Sequence, residues 1–346
     1  MLDSLRPSKS SKLGRIWEFI KTFSDWIILA LGEVLAQIIG DIKPFEQVFS
    51  VLDPTISYPK AAHERVSSTM LYVYTFGVPL GVLLVVNLAY GPGNIQRRFK
   101  LSNWAILGLG TSVIVAQVFT EFIKFIVGRP RPDFLSRCQP DTSRVQAALI
   151  TTSITLFNST ICTSTDSKVI NDGFRSFPSG HSSMSFAGLT FLSLYLAGRF
   201  RLFTPHSSHG KHLYAYVLSV APLLLASFVT SSRVSDFRHR GSDVLAGASL
   251  GILFAFIGYR YYYPWLGSRD AGTPWMVLRE EGAFADYKTH SRNGSHTGPL
   301  LPTTAVPSQQ QSYADDTVAN THPMELHPIP QINVHTPPEY PPTGNH

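Results

Sequence analysis

Three short clusters carry residue types whose spacing suits phosphoryl transfer. The first runs from Lys124 to Pro132 and holds Lys124 and Arg131. The second is FPSGHSS, with Pro178, Ser179, Gly180 and His181. The third runs from Ser232 to Asp243 and holds Arg233 and His239. A phosphate monoester carries up to two negative charges on a fan of oxygens. Arginine offers a rigid fork of donors that matches it, and lysine a point charge. Lys124, Arg131 and Arg233 are therefore expected to bind phosphate. Ser179 and Gly180 precede a helix start, where free backbone N–H groups favour anions. Gly180 also lets the backbone come close to a ligand. His239 precedes Asp243 by four residues, so on a helix the two share a face. A carboxylate on one ring nitrogen fixes the tautomer and leaves the other free to attack phosphorus. His181 can then act as the acid for the leaving oxygen. The expected catalytic set is His239, His181 and Asp243. The expected cycle passes through a phosphohistidine that water hydrolyses.

Each residue also has a plainer reading. A basic residue at the end of an apolar span commonly anchors a headgroup. Asp243 could cap a helix, and Pro178 and Gly180 could shape a turn. These readings fail jointly, because all three clusters fall at the same end of their apolar segments. Arg129, Arg137, Arg175, Arg238 and Arg240 are left as headgroup or surface charges. A metal held by His181, His239 and Asp243 is the competing chemistry. The surrounding cations would repel a divalent ion, so no metal and no cofactor is expected.

The elements that must position these clusters are membrane helices. A span needs roughly 20 mostly apolar residues. Six blocks are assigned: about Phe23 to Ile42, Met70 to Tyr90, Trp104 to Val127, Ser183 to Gly198, Leu213 to Thr230 and Val244 to Tyr262. The expected fold is all-α, a six-transmembrane-helix bundle with a disordered C-terminal tail. The domains are 1–22, a cytosolic segment; 23–265, the membrane domain; and 266–346, a cytosolic tail. Six spans put both termini on one side. Basic residues before the first span, between the second and third, and between the fourth and fifth place that side in the cytosol. The three clusters then face the lumen or the exterior. Two outer segments, Gly128 to Pro178 and Ser231 to Ser242, are basic against the rule, which invites a functional explanation.

The net charge of +6 and pI near 9.3 follow from bases flanking spans, and no nucleic-acid partner is expected. No cleavable signal peptide is read in the polar, basic start. Cys138 and Cys162 lie in one outer segment and can pair if it faces an oxidising compartment. A loop of that size would contribute roughly 3 kcal/mol. Asn158-Ser-Thr in the same segment is an N-glycosylation pattern. Glu33 lies inside the first span and must face the bundle interior or a partner, with helix packing as its expected role. The tail, rich in Ser, Thr, Pro and Gln, lacks apolar runs. Near its end Pro337, Pro338 and Tyr340 form a PPEY segment that suits a WW-domain partner.

The clusters resemble the three motifs of the type 2 phosphatidic acid phosphatase (lipid phosphate phosphatase) superfamily: KxxxxxxRP, PSGH and SRxxxxxHxxxD. They read here as Lys124 to Pro132, Pro178 to His181 and Ser232 to Asp243, with every motif position matched. The resemblance covers roughly Phe23 to Trp265. It implies a six-helix membrane core, metal-independent chemistry and His239 as nucleophile. GRPRPDFLSRC, DFRHRGSDV and DPTISYP are similar to the fungal diacylglycerol pyrophosphate phosphatase and lipid phosphate phosphatase branch. That branch implies phosphatidic acid, lysophosphatidic acid and diacylglycerol pyrophosphate as substrates. Degenerate, non-catalytic relatives would be expected to lose the histidines or cations, and these are present. A soluble vanadate-dependent peroxidase shares the anion site, but six spans argue against it. Sphingoid phosphates and polyprenyl phosphates stay open as substrates, as does the membrane: vacuole, Golgi, endoplasmic reticulum or plasma membrane.

Overall fold

Asn94 opens the longest helix among the described residues by accepting a hydrogen bond from the Arg97 N–H at 3.0 Å. The 33 residues that follow, Ile95–Val127, span about 50 Å at 1.5 Å per residue. Gly128 stops the helix with φ 61°, donating its N–H to Lys124 O. A Cβ on Gly128 would sit 1.8 Å from Phe45 O. Only glycine allows this turn, and the turn sends Arg129 and Arg131 back over the bundle end.

The computed structural model describes residues 12–152, 156–205 and 212–282. The long helices are α1 (Lys12–Asp41), α2 (Ser68–Ala89) and α3 (Ile95–Val127). The outer lobe adds α4 (Phe134–Cys138), α5 (Thr142–Thr152) and α6 (Ser167–Gly173). The second half brings α7 (Gly180–Arg199), α8 (Leu213–Ser235), α9 (Gly241–Tyr262) and a short α10 (Trp275–Glu280). The described residues form no strand beyond two isolated bridges. The expected all-α membrane bundle is the observed architecture.

Among the described residues, five helices are long and apolar enough to cross a membrane: α2, α3, α8, α9 and the Phe23–Asp41 part of α1. The fourth expected span, α7, has 20 residues but buries Ser182, Ser183, Ser185, Thr190 and Ser193. It packs against α3, α8 and α9. Neighbouring helices shield it from lipid, so it can carry hydroxyls. Ser193 Oγ donates to the Leu189 carbonyl at 3.0 Å. Small residues bring the backbones together. A Cβ on Gly251 of α9 would lie 2.3 Å from Ser183 O of α7.

Residues between α1 and α2 and between α3 and α7 build the outer lobe, which the sequence reading left as loops. Its core is Phe49, Ile56, Phe134, Phe157, Ile161, Ile170 and Phe174. Phe49 and Phe157 exchange backbone hydrogen bonds of 2.9 and 2.8 Å. The Cys138–Cys162 disulfide closes the same core.

The other end of the bundle gathers both described ends of the chain. Tyr262 donates to Asp25 at 2.9 Å, and Trp26 to Asn103 at 3.2 Å. Arg97 pairs with Glu281 and Lys100 with Glu280. Residues 266–282 fold onto this end, although composition assigned them to the tail. Ala271, Val277 and Leu278 are buried there, and Tyr259 donates to Ala271 O at 2.8 Å. Few apolar residues suffice, because the bundle supplies the opposing surface. Pro337, Pro338 and Tyr340 lie outside the described residues.

Candidate active site

The three clusters meet where α3 ends and α7 and α9 begin. A cavity of about 320 Å³ there is lined by Lys124, Arg131, Gly180, His181, Arg233 and His239, among others. Of the expected site residues, Ser179 and Asp243 stand behind that lining.

His239 sits in the turn between α8 and α9, with 4% of its surface exposed. Its Nδ1 lies 2.7 Å from the Ser176 carbonyl oxygen. A carbonyl only accepts, so Nδ1 carries the proton and Nε2 keeps its lone pair. Nε2 lies 3.3 Å from Arg131 Nη1. Burial, then Arg131 and Lys124, hold the His239 pKa well below the usual histidine value. The ring is therefore held neutral, with its Nε2 lone pair directed toward Arg131.

The expected contact between His239 and Asp243 is not the one observed. Asp243 Oδ2 stays 4.0 Å from His239 Nδ1. It instead accepts from Ser176 Oγ at 2.6 Å and from the Arg240 N–H at 3.0 Å. Its other oxygen accepts from Arg129 Nη1 at 2.8 Å. Asp243 caps α9 and holds the Ser176 residue whose carbonyl holds His239. The i, i+4 spacing predicted a shared face, but His239 precedes the first turn of α9 and does not follow helical geometry.

Ser179 also takes a different role. Its Oγ caps α7, accepting from the Ser182 N–H at 3.4 Å, and its own N–H donates to Asp243 O at 3.0 Å. It ties the second cluster to the third. Gly180 keeps its expected place, since a Cβ there would stand 2.9 Å from Lys124 Nζ. His181 lines the cavity, and its buried Nε2 has no hydrogen-bond partner.

Each cation expected to bind phosphate is held by a carboxylate that the sequence analysis did not assign to the site. Lys124 Nζ donates to Glu121 Oε1 at 2.6 Å. Arg131 donates to Asp172 through Nε, to the carbonyl, and through Nη2, to the carboxylate, both at 2.8 Å. Arg233 is 1% exposed and bonds Glu64 at 2.8 Å and Asp236 at 3.0 Å. These partners fix the guanidinium planes and offset much of the positive charge. Burial pushes the Asp172 carboxyl up, but Arg131, Arg137 and Lys124 outweigh it and hold it below the usual range. The motif spacing does not signal these acids: Glu121, Asp172 and Glu64 lie outside the three clusters, and Asp236 fills an unspecified position within the third.

The arginines set aside as headgroup or surface charges are also internal partners. Arg129 holds Asp243. Arg137 is buried between Asp133 at 2.8 Å and Asp172 at 2.9 Å. Arg175 bonds Glu121 at 3.1 Å and the Ile42 carbonyl. Arg238 lines the cavity and bonds Asp172 at 3.1 Å. Arg240 reaches Thr55 of the outer lobe at 2.6 Å. Charges beside a bilayer look like anchors in sequence; here each meets an acid or a hydroxyl of the fold. Among the described residues, no group of three His, Cys, Asp or Glu comes together as a metal ion would need.

The family model described as the PAP2 superfamily matches residues 105–266. The probable diacylglycerol pyrophosphate phosphatase 1 of Schizosaccharomyces pombe is 36% identical over 279 residues, covering 80% of this chain and 93% of its own. The chain belongs to the PAP2 superfamily. Diacylglycerol pyrophosphate phosphatase 1 of Saccharomyces cerevisiae is 37% identical over 72% of this chain and 82% of its own. Lipid phosphate phosphatase 1 of Arabidopsis thaliana is 39% identical over 78% of this chain and 77% of its own. No solved structure matches the chain. The PAP2 match encloses every expected site residue, from Lys124 to Asp243. This PAP2 protein is a multi-pass membrane phosphatase, and its cavity lies at the end of the bundle opposite residues 266–282.

Proposed function

We propose that this protein is a metal-independent lipid phosphate phosphatase that hydrolyses phosphatidic acid, lysophosphatidic acid and diacylglycerol pyrophosphate through a phosphohistidine. The observation that carries the mechanism is the His239 ring. Its Nδ1–H is committed to the Ser176 carbonyl, and its Nε2 faces Arg131 in the cavity. Diacylglycerol pyrophosphate as a substrate rests on the names of the two yeast relatives and lipid phosphates in general on that of the plant relative, while phosphatidic acid and lysophosphatidic acid follow from the motif resemblance.

The phosphate group enters between Lys124, Arg131 and Arg233, with the N-terminus of α7 at Gly180 beside it. Its negative charge offsets the cations that depress the histidines, so His181 can hold a proton. His239 Nε2 forms a bond to phosphorus while the bond to the lipid oxygen breaks. His181 gives its proton to that oxygen, and the alcohol or lipid phosphate leaves. The phosphorylated ring is cationic, and the Ser176 carbonyl and Asp243 stabilise it. Water then attacks phosphorus, His181 takes its proton, and the nitrogen–phosphorus bond breaks to release inorganic phosphate. Lys124, Arg131 and Arg233 stabilise the spread charge in both steps.

The active site is placed on the lumenal or extracellular face of the vacuole, Golgi, endoplasmic reticulum or plasma membrane, with both termini cytosolic. The tail at Pro337, Pro338 and Tyr340 is proposed to meet a WW-domain protein. Purified wild type and His239→Ala, assayed for phosphate release in excess EDTA, test the reaction. Turnover in EDTA by wild type only is expected. Activity that needs a divalent metal would overturn the mechanism. Including a sphingoid phosphate and a polyprenyl phosphate ranks the alternative substrates.

A further inference from the structure

The PAP2 mechanism leaves Glu33, an acid inside the first membrane helix, without a role. It belongs to a small polar cluster. Gln37 donates to Glu33 at 2.7 Å, and Gln117 of α3 approaches the same oxygen at 3.5 Å. The Tyr72 hydroxyl of α2 lies beside both amides. Gln117 is 7% exposed, and its Oε1 is buried without a hydrogen-bond partner. Gln37, Tyr72 and Gln117 all line the active-site cavity.

Glu33 faces the other way, into a second cavity of about 320 Å³. Its remaining walls are apolar and include Trp26, Leu29, Phe76, Leu80, Ile106 and Ile114. This cavity lies between α1, α2 and α3. The Glu33–Gln37 hydrogen bond thus lies between the two cavities, one partner lining each. Gln117 precedes Lys124 by seven residues on α3, so the cluster lies about 10 Å deeper in the bundle than the phosphate-binding amine. That order is phosphate site, hydrogen-bonding belt, apolar cavity. It matches the order of a lipid phosphate: phosphate, glycerol oxygens, acyl chain. Polar groups within a membrane helix are costly unless paired, and the Gln117 amide oxygen is available to a ligand donor.

We propose that Glu33, Gln37, Tyr72 and Gln117 form a subsite for the glycerol oxygens of the substrate, and that the apolar cavity beyond takes one acyl chain. The proposal rests on the lipid phosphate reading above. The hydrogen-bonding chemistry is shared by an ester carbonyl and a free glycerol hydroxyl. The amide N–H groups suit the first, and the open Gln117 oxygen suits the second.

The test uses the full chain in detergent micelles and the variants Gln117→Leu, Gln37→Leu and Ala30→Trp. Ala30 lines the apolar cavity, so tryptophan there fills it. Gln37 is exposed on α1, so its variant is the safeguard if Gln117→Leu fails to fold. Two quantities are read: KM for dioleoyl phosphatidic acid and lysophosphatidic acid, and the Ki for inorganic phosphate, which competes at the phosphate site alone. In the glutamine variants, KM should rise about tenfold while Ki stays within about twofold. A larger rise for lysophosphatidic acid would assign the hydroxyl to Gln117, and a larger rise for the diacyl lipid would assign the ester to the amide donors. Ala30→Trp should raise KM for the dioleoyl lipid more than for a dioctanoyl one. An unchanged KM, or KM and Ki rising together, would overturn the subsite. Wild type inert on every lipid phosphate, or His239→Ala still active, would instead overturn the underlying reading, and this inference with it.

Discussion

Replacing Asp243 with asparagine separates two ways of organising His239. If a carboxylate alone sets the tautomer of a catalytic histidine, neutralising it costs about 10⁴-fold in kcat. In this structure the Ser176 carbonyl sets the tautomer, and Asp243 is 4.0 Å away. The carboxylate then acts mainly on the positive charge that appears when Nε2 bonds to phosphorus. At 4 Å and an effective dielectric of 20, that attraction is about 4 kcal/mol. Arg129, 2.8 Å from the same carboxylate, opposes it, so roughly 2–3 kcal/mol remains. The expected loss for Asp243→Asn is therefore about 10²-fold in kcat. Asparagine keeps the shape and still caps α9, so the fold is preserved. Single-turnover release of the lipid alcohol, with a thermal melt as control, reads the effect on the first step. A loss near 10⁴-fold in a stable variant would mean that Asp243 holds the ring directly. A loss under about threefold would remove it from the electrostatics of the reaction. Combining Asp243→Asn with Arg129→Met should give less than the sum of the two, because each mainly answers the other.

Two further outcomes follow from the same geometry. Gly180→Ala places a Cβ 2.9 Å from Lys124 Nζ, so the amine must shift; kcat/KM should fall by about 10- to 100-fold with little change in melting temperature, and an active Gly180→Ala would show that Lys124 is free to move. His239 is held neutral by burial and by Arg131 and Lys124, with its pKa well below 6.5. The unfolded chain takes up a proton near pH 6.5 and the folded one does not, so this group's contribution to stability is present above that pH and is lost as pH falls through the window below it. Melting temperature should drop from pH 7 to pH 5, and His239→Asn should flatten that slope. The same shift puts the acid limb of kcat/KM below pH 6.5, unless another group titrates first.

The sequence by itself determined the helical membrane architecture and most of the residues that gather at the candidate site. Blocks of about 20 apolar residues leave a chain few other options in lipid, because every backbone polar group must be satisfied internally. Lys124, Arg131, Gly180, His181, Arg233 and His239 were legible because phosphate chemistry needs those residue types, and their fixed spacings mark three segments. All six line one cavity. Other features were decided only by tertiary structure. The span assigned to α7 was read as facing lipid like the others, but it buries five hydroxyl side chains, because its neighbours, not lipid, set what its surface tolerates. The outer lobe was read as loops, since a core made from seven scattered residues has no period. Asp172 and Glu64 reach Arg131 and Arg233 from separate segments that only folding brings together, whereas Glu121 and Asp236 stand three residues from Lys124 and Arg233 in the chain. Asp243 and Ser176 show the sharpest division. Residue types and spacing placed an aspartate beside a histidine, but the path of the chain before α9 decided that a backbone carbonyl, which no side-chain pattern encodes, would hold the ring.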